Sequence, residues 1–79
     1  MTAADAEKLP WAPHPTASGV QTLKLGHLRL CVTDAKWWSP GPGGSKAVPC
    51  LSMGGAKLKA VLWAREQAQA IIDAIGGAT

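Results

Sequence analysis

The run AKLKAVLWAREQAQAIIDAI, residues 56–75, limits what this chain can become more than any other stretch. Ala, Leu, Lys, Arg, Glu and Gln dominate it, and these side chains lose little by going helical. Glycine pairs bracket it, Gly54-Gly55 before and Gly76-Gly77 after. Leu58, Val61, Ala64, Ala68, Ile71, Ile72 and Ile75 fall on one side of a 3.6-residue repeat. The spacing predicts a helix about 30 Å long, with Leu58, Val61, Leu62, Ala68, Ile71, Ile72 and Ile75 at core or dimer positions. That stripe must be buried, and within the chain only residues 20–53 can cover it. A domain of 79 residues has a thin core, which dimerisation commonly supplements. Part of the stretch has a second reading. Residues 57–63 also alternate, with Leu58, Ala60 and Leu62 on one side, so they could form a fourth strand before a shorter helix over 64–75.

Upstream, the repeat changes from 3.6 to two. Residues 20–25 alternate, with Val20, Thr22 and Lys24 against Leu23 and Leu25, and Gly26-His27 allows a reversal. Residues 28–34 are the clearest strand: Leu28, Leu30 and Val32 point one way, and His27, Arg29, Cys31 and Thr33 the other. Lys36-Trp37-Trp38 then runs into SPGPGGS, whose prolines and glycines force a loop. Residues 46–53, KAVPCLSM, read as a further strand, and Pro49 restricts it to a sheet edge or a bulge. Residues 1–19, with prolines at 10, 13 and 15, read as a flexible arm ahead of a single domain over 20–79. Trp11, alone in that arm, either docks onto the domain, the commoner case, or serves as a contact residue.

Charge is concentrated in the middle of the chain. Residues 20–59 hold Lys24, Arg29, Lys36, Lys46, Lys57 and Lys59 against Asp34 alone, the footprint of a phosphate-binding surface. Lys57 and Lys59 oppose the dipole at the start of the expected helix, which gives them a reason to serve a ligand. Cations beside Trp37 and Trp38 can neutralise phosphates while an indole stacks on an unpaired base, a combination suited to single strands. Catalytic constellations are missing. Asp34 has no second carboxylate nearby for acid–base work, the serines lack a Gly-x-Ser-x-Gly setting, and the GPGG loop lacks a P-loop ending. Cys31, Cys50, His14 and His27 lack ligand spacing, so neither a metal nor a cofactor is expected. No apolar run reaches the roughly 20 residues of a membrane span. The first residues lack the layout of a signal peptide, so a cytoplasmic protein is expected.

The run Gly26-His27-Leu28-Arg29-Leu30-Cys31-Val32, then Trp37-Trp38-Ser39-Pro40, the glycine-rich loop, Lys46-Ala47-Val48-Pro49-Cys50-Leu51-Ser52 and the C-terminal helix resembles the positive cofactor four family. That family comprises small coactivators of transcription that bind single-stranded DNA. The resemblance covers residues 20–75. It implies a curved antiparallel sheet backed by a helix, dimerisation through the helices, and nucleic acid on the exposed sheet face. Arg29, Lys36, Trp38 and Lys46 match the family's candidate contacts.

The expectation is thus an α+β domain, a small antiparallel β-sheet of three to four strands covered by one long C-terminal amphipathic helix. Its expected role is non-catalytic single-stranded nucleic-acid (DNA) binding, in transcription or replication, as a homodimer. Lys24, Arg29, Lys36, Trp37, Trp38, Lys46, Lys57 and Lys59 are its candidate contacts. The rival reading is a small protein-interaction module, such as a phage-type inhibitor, gripping an acidic protein surface with Trp and Arg anchors.

Overall fold

A computed structural model describes residues 2–26, 28–41 and 43–77. The elements run α1 (Ala3–Glu7), β1 (Ala12–Pro13), β2 (Gln21–Leu25), β3 (Leu28–Val32), β4 (Lys36–Ser39), β5 (Ser45–Pro49) and α2 (Met53–Gly77). The strands form one antiparallel sheet in chain order, β1-β2-β3-β4-β5. The α+β class therefore holds, with five strands rather than three to four.

Both added strands have a local cause. β4 was hidden because Lys36-Trp37-Trp38 borders a loop sequence. Thr33 closes the β3–β4 turn instead: its hydroxyl accepts from the Ala35 and Lys36 N–H groups, and its own N–H donates to the Lys36 carbonyl. β1 belongs to the segment expected to be a flexible arm, and that expectation needs correcting. Thr2 and Asp5 form a capping box that starts α1. Ala6 is fully buried in the core, and the Trp11 indole N–H donates to the Ala6 carbonyl at 2.8 Å. His14 holds the following turn, its Nδ1 accepting from the N–H groups of Thr16 and Ala17.

The registers divide the sheet into two faces, because cross-strand partners share one. Leu23 and Leu30, and Val32, Trp37 and Val48, point to the inner face. There Leu23, Leu30, Val32 and Trp37 pack with Ala6, Ala56, Ala60, Val61 and Ala64 to form the core. Small alanines on α2 let the helix approach the sheet while the large side chains come from the strands. Trp37 and Trp63 meet with centroids 5.8 Å apart and ring planes tilted by 46°, within the favourable range for aromatic pairs.

α2 settles the helix-or-strand ambiguity over residues 57–63 as helix, and it is longer than expected. It runs through both glycine pairs, from Met53 to Gly77. Ser52 starts it, its hydroxyl accepting from the Gly55 N–H at 3.1 Å. Gly54 lies beside α1, where a Cβ would come within 2.9 Å of Glu7 Oε1, the mobile end of an exposed side chain. Twenty-five helical residues span about 37 Å, whereas a five-residue strand spans about 17 Å. The helix consequently outruns the sheet. Val61 is in the core and Leu58 packs half-buried against it. Leu62, Ala68, Ile71, Ile72 and Ile75, expected at core or dimer positions, are exposed in this chain. None of the described helices is long and apolar enough to cross a membrane.

Candidate nucleic-acid interface

The outer face of the sheet gathers most of the residues singled out in the sequence. Thr22 pairs with Cys31 and Cys31 with Trp38; Lys24 pairs with Arg29; Lys36 lies two residues from Trp38 and on its side of β4. Lys24, Arg29 and Lys36 are exposed, and Trp38 is half-buried. The Lys36 ammonium stands 5.4 Å from the Trp38 ring centroid, close enough for a cation–π contact. The ammonium lies over the ring, so a base stacking on this indole face would have to displace Lys36 or carry its phosphate to it. Lys46 is exposed on β5, at the sheet edge.

Charge separates by element. The five strands contain Lys24, Arg29, Lys36 and Lys46 and no acidic residue. The carboxylates lie elsewhere: Asp5 and Glu7 on α1, Asp34 in the β3–β4 turn, Glu66 and Asp73 on α2. α1 packs with the core on the inner side, while Glu66 and Asp73 lie on α2 past Ala64, its last core residue.

Three expected contacts do not belong to this face. Trp37 is 5 % exposed and points into the core, because neighbouring strand residues alternate sides. Its indole N–H is buried without a hydrogen-bond partner. Lys57 is buried too, at 9 % exposed, with its ammonium 5.5 Å from the Trp11 ring centroid. It sits one turn before Ala60 and Val61, on the helix side that meets α1 and the core. Docking against α1 and Trp11 accounts for a cation so near the helix start. Lys59 is exposed but lies on α2, in the layer behind the sheet.

Two features of the interface were not foreseen. Alternate residues of β3 pair with β4 through hydrogen bonds, and in continued register the position opposite Arg29 is Pro40, which has no N–H. The Ser39 hydroxyl replaces it, donating to the Arg29 carbonyl at 2.6 Å. The Ser39-Pro40 pair was the signal for this, a hydroxyl beside the missing donor. Cys31 is the other. It belongs to the outer face, yet it is 2 % exposed, and burial pushes its thiol up from the usual value while Arg29 pulls it down. Cys50 is half-buried, and both thiols are free. His27, assigned by alternation to the outer face, lies outside the described residues. Among those residues no three His, Cys, Asp or Glu side chains are grouped to hold a metal ion.

Comparison with protein-family models, curated proteins and solved structures gives no match.

Proposed function

We propose that the protein is a non-catalytic single-stranded nucleic-acid-binding protein that uses the outer sheet face. One observation carries the reading: Lys24, Arg29 and Lys36 share the side away from the helices with Trp38, Lys46 stands at the sheet edge, and no strand holds an acid. Lys24, Arg29, Lys36 and Lys46 would neutralise phosphates, and Trp38 would stack on a base. Stacking needs a free base face, which a duplex does not offer, so single strands are the preferred ligand. The resemblance to the positive cofactor four family points the same way and suggests a role in transcription or replication inside the cytoplasm.

The same reading takes the protein as a homodimer. Ile71, Ile72 and Ile75 are 49 %, 60 % and 66 % exposed near the end of α2. They continue an apolar groove of about 390 Å³ bordered by Leu9, Leu25, Leu28, Val61 and Ala68. A second copy crossing antiparallel would lay its own isoleucines there. Sedimentation equilibrium across a concentration series tests this: Ile71→Glu should shift the protein to monomer, and an unchanged mass would remove the helix from the dimer contact.

The binding test is fluorescence anisotropy with labelled single-stranded and duplex oligonucleotides at low and moderate salt. Binding that prefers single strands and weakens steeply with salt is expected. Absence of binding at low salt would refute the reading and turn attention to an acidic protein surface as the partner of the basic face.

A further inference from the structure

At the end of the β2–β3 hairpin two cations stand directly opposite each other. Lys24 pairs with Arg29 in register, next to the closing pair Leu25 and Leu28. In a hairpin of this kind that position is not hydrogen-bonded, and side chains there stand closest. Like charges so placed repel and destabilise the pairing. No carboxylate on any strand offsets them. Between them and the following loop lies a cavity of about 260 Å³, lined by Lys24, Leu28, Arg29, Pro40 and Gly41.

We propose that this cavity is a phosphate subsite for the nucleic-acid backbone, placed one nucleotide from the base that stacks on Trp38. The inference rests on the nucleic-acid reading above and specifies where on the face the backbone is held. The two side chains are donors only, and neither can accept a hydrogen bond. The planar Arg29 fork suits two phosphate oxygens at once, and the Lys24 ammonium adds a point charge. Pro40 supplies an apolar wall for the attached sugar, and Leu28, whose side chain faces the inner side with Leu30, bounds the cavity at the hairpin end. The fourth wall depends on the turn after β4. Gly41 and Gly43 adopt left-handed backbone angles, φ 94° and 74°, and at Gly44 a Cβ would overlap the Ser39 carbonyl oxygen. The Gly44 N–H donates to the Gly41 carbonyl at 3.1 Å, which folds the loop back beside Arg29. The Ser39 hydroxyl fixes the Arg29 backbone from the same side.

The stride also fits. Arg29 and Cys31 are two residues apart on one side of β3, about 7 Å, and Trp38 is the cross-strand partner of Cys31. A phosphate at Arg29 therefore leaves the adjoining base within reach of the indole.

The test uses the full chain and an eight-residue oligothymidylate. Binding is measured as a function of salt for wild type, Lys24→Gln, Arg29→Gln, Arg29→Lys and Trp38→Ala. Each lost phosphate contact should lower the slope of log affinity against log salt by about 0.7. Lys24→Gln and Arg29→Gln should both show that drop, Arg29→Lys should keep the slope while weakening binding several-fold, and Trp38→Ala should weaken binding at wild-type slope. Removing either member of a repelling pair should leave the melting temperature equal or raise it. Wild-type slopes in both Gln variants, with Trp38→Ala still weakened, would overturn the subsite and leave the broader reading intact. A melting temperature several degrees lower in both Gln variants would make the pair structural and overturn it too. If the wild type does not bind at low salt, the nucleic-acid reading falls and the subsite falls with it.

Discussion

Trp37 and Trp38 are chain neighbours, and the fold gives them opposite consequences when each is cut to alanine. Trp37 is 5 % exposed. A buried indole hides up to about 250 Å², which at about 25 cal/mol per Å² is about 6 kcal/mol as an upper bound. Core Trp→Ala changes measure about 3–5 kcal/mol. The Trp37 N–H is buried without a partner, and deleting it returns about 1–3 kcal/mol of desolvation cost. The net expectation is a loss of about 3 kcal/mol. A domain of this length holds roughly 4–12 kcal/mol in total, so the variant is folded but severely weakened. With a urea dependence of about 1 kcal/mol per molar, the midpoint should fall by about 3 M. Trp38→Ala removes a half-buried ring from the outer face and should move the midpoint by less than about 1 M on the same scale. Its effect should fall on binding, where losing one stacked base costs about 1–3 kcal/mol, or about 5- to 150-fold in affinity. Urea melts followed by circular dichroism, paired with anisotropy on oligothymidylate, separate the two. Equal destabilisation by both substitutions would refute the assignment of faces. Unaltered affinity in a folded Trp38→Ala would refute the stacking role.

Lys57→Met keeps the stem that packs near Trp11 and removes a charge from a 9 % exposed site; stability should hold within about 1.5 kcal/mol and oligonucleotide affinity should not change, so a large drop in affinity would return Lys57 to the interface. Gly44→Ala forces a Cβ against the Ser39 carbonyl oxygen, and a thermal melt should show a loss of about 1–3 kcal/mol from the displaced turn; a wild-type melt would mean the loop shifts freely. Asp5 is held below its ordinary value of 3.8, first by the Thr2 N–H and then by the Thr2 hydroxyl. A depressed carboxylate contributes stability above its unfolded value and loses it as pH falls through the folded one. Docking of α1 should therefore loosen below about pH 4, followed by the NMR shift of the Trp11 indole proton bonded to Ala6; a transition near pH 6 would contradict this origin.

The long helix and strands β2 and β3 were legible because their apolar repeats are strong and local. Arg29 was placed on the outer face for the same reason, since period two fixes which side a residue takes once its strand is known. The sorting of Trp37 from Trp38 was not legible, because the strand holding them is closed by Thr33 hydrogen bonds that leave only a weak trace in sequence. α1 was missed although Thr2-x-x-Asp5 is a capping pattern. Five residues cannot hold a helix by themselves, and this one exists because Ala6 and Trp11 find the core. Gly54 and Gly55 looked like helix stops. Ser52 caps the chain ahead of them, so the helix runs through both. Lys57 was misassigned from its charge, when its spacing from Ala60 and Val61 already placed it on the side of the core.

The two outermost strands carry a further consequence. β1 is only Ala12–Pro13, and β5 presents Lys46 and ends at Pro49. A short border rich in proline offers few free backbone donors, and a lysine there makes alignment with an identical border repulsive. Growth of the sheet by strand addition from one molecule to the next is thereby obstructed at both ends. Concentrated protein should resist amyloid-like stacking, and replacing Lys46 and Pro49 with Thr and Val should create fibrils that bind thioflavin. The proposed homodimer avoids these borders, because its contact at the end of α2 would close on itself.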